Sequence, residues 1–261
     1  MTNERNPAVA GLFYPDNPLT LRAVVTDYLR AVPEAGSVPK AIIAPHAGYI
    51  YSGPIAASAY ARLKPARGKI QRMVLLGPSH RVGFRGLALS SAEFFATPLG
   101  RIPLDREAAA SISDLPQVRM MDVAHAQEHS LEVHLPFLQE VLGEFRLLPL
   151  VVGDASPEEV SEVLELLWGG PETLIVISSD LSHYHDYATA QKMDRATSHA
   201  IEALRYGDIH YDDACGRNPV SGLLHLARKQ GLSVHTIDLR NSGDTAGTRD
   251  SVVGYGAYVI E

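Results

Sequence analysis

The stretch ThrLeuIleValIleSerSerAspLeuSerHis at residues 173–183 runs from an apolar, β-branched segment straight into a polar turn that ends on a histidine. Branched side chains lose rotamer freedom in a helix and pack well on a pleated surface, so a short apolar run of this kind reads as a buried strand. Five other runs read the same way: LysAlaIleIleAla (40–44), MetValLeuLeuGly (73–77), ArgLeuLeuProLeuValVal (146–152), SerValHisThrIleAspLeu (233–239) and TyrGlyAlaTyrValIle (255–260). Helical spacing is clearest over 19–31, 54–63, 105–113, 128–142, 157–167, 188–205 and 219–230, as in Leu131, Leu135, Leu138 and Leu142. Strands alternating with helices predict a layered α/β/α fold with a largely parallel or mixed central sheet. Residues 84–104 interrupt the alternation. PheArgGlyLeuAlaLeuSer (84–90) and GluPhePheAlaThrProLeuGly (93–100) predict a small inserted antiparallel hairpin.

The chain has 261 residues and no break in composition, which favours a single domain over 1–261. Its 23 basic and 30 acidic residues leave a net charge of −7, so neither nucleic acid nor an anionic membrane is an expected partner. One cysteine cannot form an internal disulfide, and the opening residues have no apolar signal-peptide core, so a cytoplasmic location is expected. Apolar runs such as 73–76 and 174–177 are far short of the ~20 residues a membrane-spanning helix needs.

In open α/β sheets, ligands gather beyond the carboxyl ends of the strands. The ends here are polar in a repeated way. The 40–44 strand leads into ProHisAlaGlyTyr with His46, the 73–77 strand into ProSerHisArg with His80, and the 173–178 strand into Asp180, His183 and His185. One such histidine is an ordinary polar loop residue, whereas three strand ends that deliver histidines predict a metal or substrate site. Pro45 and Pro78, with Gly48, Gly53 and Gly77, stiffen these turns and permit close approach.

HisAlaGlnGluHisSerLeuGluValHis (125–134) is a second cluster. On a helix, His125, His129 and Glu132 share the face opposite the leucine stripe, which predicts that they face the site. The same stretch spells His-x-x-Glu-His, a zinc-peptidase signature over His125, Glu128 and His129, but that reading leaves His46 and His80 unused. Cys215 precedes a helix start, where the dipole favours a thiolate and makes it a candidate ligand or reactive group; a small buried residue is the plainer alternative.

ProHisAlaGlyTyrIleTyrSerGly (45–53), GlyProSerHis (77–80), GluHisSerLeuGluValHisLeuProPhe (128–137), SerSerAspLeuSerHis (178–183) and CysGlyArgAsnPro (215–219) resemble, in order, the motifs of the MEMO family. The likeness begins at AlaGlyLeuPheTyrPro (10–15) and ends at ValGlyTyrGlyAla (253–257), so it spans nearly the whole chain. Bacterial and archaeal members are called AmmeMemoRadiSam system protein B, after companions with an AMMECR1 or a radical-SAM domain.

The resemblance implies a fold similar to LigB-type class III extradiol dioxygenases and a mononuclear site for Fe(II), with Cu or Zn as other occupants. It places His46, His80 and Cys215 as metal ligands and His183 as the acid–base residue. A thiolate where those enzymes use a carboxylate makes the site softer. His129, Glu132, Asp180 and Tyr51 are expected to support the ligands or position a small-molecule substrate. The expected function is an O2-dependent oxidation. The alternatives are a copper- or iron-handling protein without turnover and a phosphopeptide or small-ligand binding module using the same pocket.

Overall fold

The structure, a computed structural model, describes residues 3–33 and 36–261. The first half contains β1 (Glu4–Arg5), α1 (Pro18–Ala31), β2 (Ala41–Ala44), α2 (Tyr49–Ala61), β3 (Arg72–Pro78), β4 (Leu87–Leu89), β5 (Phe94–Thr97), β6 (Gly100–Pro103), α3 (Arg106–Ile112) and β7 (Val118–Met120). The second half contains α4 (Asp122–Ala126), α5 (Leu135–Leu142), β8 (Arg146–Val152), α6 (Pro157–Leu167), β9 (Thr173–Ser178), β10 (His183–His185), α7 (Tyr187–Glu202), α8 (Arg217–Gln230), β11 (Val234–Asn241) and β12 (Val252–Ile260).

Among the described residues the main sheet has nine strands, in the order β10-β12-β2-β9-β3-β8-β4-β7, with β11 also paired to β12. β2, β9, β3 and β8 are mutually parallel, while β12 and β4 run antiparallel to their neighbours β2 and β8. The parallel strands are buried on both faces because their side chains alternate between two separate cores. Leu174 and Val176 of β9 join the core under α1, α2 and α5, whereas Ile175 and Ile177 join the one under α3, α6, α7 and α8. That arrangement is the layered α/β/α fold the alternation predicts.

Three regions depart from the predicted pattern. The hairpin exists, but it is β5 with β6, pairing Thr97 with Gly100, and it forms a separate three-stranded sheet with β1. Leu87–Leu89 instead enters the main sheet between β8 and β7. Helix α2 starts earlier than its spacing suggests, at Tyr49, and passes through Pro54.

The third departure lies at 127–131, where the predicted 128–142 helix does not form; α5 starts only at Leu135, behind a 3-10 turn at Glu132–His134. Arg5 takes the carbonyls that a helix would use, donating to the oxygens of His125 (3.1 Å) and Glu128 (2.6 Å). The Glu128 carboxylate accepts from the N–H groups of His129 and Ser130, both at 2.9 Å. Side chains have thus replaced the helical ladder.

Candidate metal centre

The register of β2 against β9 pairs Ala44 with Ser178, so both strands release their chains at the same level. His46 and Asp180, two residues beyond, are side by side. The His46 N–H donates to Asp180 Oδ1 (2.7 Å), and the Ser179 N–H donates to the Ala44 carbonyl (3.0 Å). The loop is tied down further when the Leu181 N–H donates to Gly254 O (2.8 Å) and the Ser182 N–H to Asp194 Oδ1 (3.0 Å). These bonds hold His183 at the first position of β10.

His80 comes from the end of the adjacent β3, and Gly77 is what lets the neighbouring 130 loop reach it. A Cβ there would lie 2.8 Å from both Leu131 Cδ2 and Ser130 Oγ. Cys215 arrives from the other side, just before α8. Gly216 permits this approach, since a Cβ there would lie 2.4 Å from the Ser178 carbonyl oxygen.

The ligand atoms of His46, His80 and Cys215 all lie within 4.8 Å of one another, and Cys215 Sγ is 3.4 Å from His46 Nε2. Bonds of about 2.0–2.3 Å in a tetrahedron separate neighbouring ligand atoms by about 3.5 Å, so this set is spaced for one ion. The donor chemistry also fits. Glu128 Oε1 lies 2.9 Å from His80 Nδ1, and a carboxylate can only accept, so Nδ1 carries a proton and Nε2 is the nitrogen left to bind an ion. His46 Nδ1 is likewise engaged, by Ser178 Oγ at 2.6 Å.

The three imidazoles of His46, His80 and His129 pack with ring centroids 4.7–5.5 Å apart. Burial, then the neighbouring imidazoles, pushes His46 well below the usual histidine range, and burial pushes His129 down to about 4. Both are neutral near pH 7. Burial pushes the Cys215 thiol up, with the Asp180 carboxylate adding to the effect, so the expected dipole-stabilised thiolate does not form without a cation. Burial also raises Asp180 to about 7, against the lowering effect of its hydrogen bonds from His46 and Ala47.

These groups line a cavity of about 930 Å³ that also takes in Phe13, His129, His183, Tyr184, His185, Tyr211 and Asp212. Asp180 and His129 therefore stand at the cavity with His46, His80, His183 and Cys215. Tyr51, half-buried in the first turn of α2, is not among the lining residues. Glu132 is elsewhere. Its carboxylate is engaged by Arg5 Nη1 (2.5 Å), the N–H groups of Ala8 (2.7 Å) and Val9 (3.0 Å), and the Tyr14 hydroxyl (2.5 Å).

The shared helix face of His125, His129 and Glu132 does not exist, because the segment is not a helix there. The peptidase reading fails with it: His125 is buried, with Nε2 2.9 Å from the Ala88 carbonyl oxygen. His80, Glu128 and His129 also have ligand atoms within 4.8 Å of one another. Glu128, however, already accepts from the His80 N–H (2.6 Å) and Nδ1 and from two further backbone N–H groups. Burial opposes its charge, but these donors bring its pKa down to about 2, which marks a support for His80 and not a free ligand.

Spacing did not reveal Glu128, Ser178 and His134 as partners of the histidines, and it did not reveal Tyr184 and Tyr211. The signal for Tyr184 is backbone: it has φ +63°, a conformation uncommon for a tyrosine, and it is 77% exposed.

A mixed α/β/α sheet with two histidines and a cysteine gathered beyond its strand ends defines a protein with a candidate metal centre. The chain belongs to the Memo-like protein family, whose profile matches residues 5–259. It is 36% identical over 262 residues to a MEMO1 family protein of Aquifex aeolicus, covering 96% of this chain and 97% of that one. It is 34% identical to the MEMO1 family protein MK0963 of Methanopyrus kandleri, covering 98% and 99%. Among solved structures, uncharacterized protein JW3007 from Escherichia coli K12 shares the fold at a TM-score of 0.50 and 12% identity, over 84% of this chain and 98% of that one. Among the described residues no helix is long and apolar enough to cross a membrane.

Proposed function

We propose that the protein holds one metal ion through Nε2 of His46, Nε2 of His80 and the thiolate of Cys215, and that it carries out an O2-dependent oxidation of a small oxygen-bearing substrate in the adjoining cavity. The observation that carries this reading is the convergence of those three ligand atoms within 4.8 Å, with Nδ1 of each histidine already engaged by the protein. Fe(II) is the proposed occupant, and when bound it supplies a Lewis acid and a one-electron redox centre.

The chain's own residues do the rest. Burial lowers the His183 pKa against the opposing effect of its bond to the Leu181 carbonyl, so the ring is neutral near pH 7 and its other nitrogen can take a proton from a substrate hydroxyl and return it. Asp180 holds the His46 backbone. Glu128 holds the His80 ring and its backbone together.

One observation favours a second reading, metal handling without turnover: the sulfur donor favours Cu(I) or Zn(II) more than an all-nitrogen and carboxylate set does. Protein purified without oxygen, analysed for metal and then tested for oxygen uptake with catechols and other chelating phenols, separates the two. About one ion per chain is expected, lost in His80→Ala with an unchanged circular dichroism spectrum. Uptake above that of free Fe(II), abolished in His183→Gln with the metal retained, supports oxidation. Saturable binding with no such uptake leaves metal handling; no binding removes both.

A further inference from the structure

Ser178 Oγ has three polar neighbours and one hydrogen. It lies 2.6 Å from the Ser130 carbonyl oxygen, 2.6 Å from His46 Nδ1 and 2.8 Å from His134 Nε2. A carbonyl cannot donate, so the hydroxyl proton goes to Ser130 O, and both imidazole nitrogens must donate to the two lone pairs of Oγ. His134 is then protonated on Nε2, and its Nδ1 is an acceptor. The Tyr60 hydroxyl, 2.5 Å away, is the donor that fills it. Ser178, His134 and Tyr60 are all at most 1% exposed, so water offers none of them another partner.

We infer that Ser178, His134 and Tyr60 form a buried hydrogen-bond relay that locks His46 in its Nδ1–H form and turns its Nε2 lone pair toward the metal position, making Ser178 and His134 positioning residues for that site. The inference rests on the metal-centre reading for its consequence, but its chemical content, the tautomers, does not. The two metal-site histidines are thereby held by different means. His80 is fixed by one anionic acceptor, whereas His46 is fixed by a neutral hydroxyl whose orientation a second histidine and a tyrosine impose.

Ring-nitrogen correlation spectra of metal-free, 15N-histidine-labelled protein read the tautomers directly. The expected result is a proton on Nδ1 of His46 and on Nε2 of His134; a proton on Nε2 of His46 overturns the relay whatever the metal does. Cobalt(II) titration, followed by its thiolate charge-transfer band, reads the consequence. Ser178→Ala is expected to weaken Co(II) binding about 10–100-fold, in the range seen when a partner behind a ligating histidine is lost. His134→Leu should weaken it less, and His134→Gln, whose amide N–H can replace Nε2–H, should recover most of the loss together with the Nδ1–H signal of His46. Unchanged affinity in both Ser178→Ala and His134→Leu overturns the positioning role. If wild type binds no Co(II) while the tautomers are as expected, the metal reading has failed and the positioning role falls with it, leaving only the lock. If Ser178→Ala does not fold, the wild-type spectrum and the His134 pair still decide.

Discussion

Glu128 and Glu132 lie one helical turn apart in sequence, are both at most 1% exposed, and serve different partners. Glu128 turns toward the sheet end, where it accepts from His80 twice and from the N–H groups of His129 and Ser130. Glu132 turns toward the N-terminal segment, where Arg5, Ala8, Val9 and Tyr14 surround it. Four donors at each carboxylate offset the cost of burying its charge. A buried glutamate next to a histidine cluster therefore does not identify a site residue; what it accepts from does. Arg5 belongs to both systems, since the same guanidinium pairs with Glu132 and ties the Glu128 and His125 carbonyls.

The largest effect should come from breaking the structural member of the pair. Glu132→Ala leaves Arg5 as a buried cation without its partner and two backbone N–H groups unsatisfied, which costs about 3–5 kcal/mol for a broken buried pair. Urea denaturation should show that loss, while the fraction that remains folded binds metal as wild type does. A stable variant with lost metal would reverse the assignment of the two glutamates.

His125 supplies the next effect, through pH. Burial lowers its pKa to about 4, against the raising effect of the Ala88 carbonyl, so the folded protein keeps it neutral where the unfolded chain would protonate it. Its contribution is therefore complete above the ordinary histidine pKa of about 6.5 and is lost as pH falls from there toward 4, at a cost near 3 kcal/mol at the acid end. His125→Gln should make that limb of a stability–pH curve shallower by one proton's share, since His46, His129 and His134, also lowered by burial, carry the rest. An unchanged slope between pH 6.5 and 4 would show that His125 contributes nothing to it.

Glu128→Gln should leave the protein folded with about a 10–100-fold weaker hold on metal, because a neutral amide oxygen in the Oε1 position binds the His80 Nδ1–H less firmly and the amide N–H group in the Oε2 position faces another donor, the His80 backbone N–H. Metal titration against unfolding midpoint gives the contrast with Glu132→Ala: here affinity falls more than stability. Equal losses in both variants would dissolve the distinction between the two carboxylates.

The parts of this molecule legible in its sequence are those whose partners are local. The β9 run and the α6 helix with its Ser156 capping box have the bounds their patterns predict, because a continuous apolar run and a cap are written within a few residues. The 128–131 stretch has good helical spacing and is not a helix, because Arg5, more than a hundred residues earlier, takes the carbonyls of His125 and Glu128. The site divides in the same way. Strand ends announce His46, His80 and His183 through topology alone, whereas Ser178 and His134 become partners of His46 only through the β2–β9 register and the path of the 130 loop. Tyr51 reads as a site residue because it follows His46 closely; it stands in the first turn of α2, near Gly48 but not among the residues that line the cavity.

The smallest effect is the sharpest test of which groups ligate. His129 stacks on His80 with ring centroids 4.7 Å apart, yet its Nδ1 stands 3.4 Å from Glu128 Oε1 and has no hydrogen-bond partner among the described residues. It meets Glu128 through its backbone N–H, which any residue at that position provides. Replacing the ring should therefore leave the Glu128–His80 hold intact. His129→Gln is expected to change metal affinity by less than about threefold, under 1 kcal/mol, whereas Glu128→Gln changes it by an order of magnitude or more. If His129→Gln instead matches His80→Ala, the ion sits on the His80, Glu128 and His129 side, and Cys215 loses its place as a ligand. A cobalt spectrum settles the point within the same titration, since only the His46, His80 and Cys215 set contains a sulfur donor to give the thiolate band.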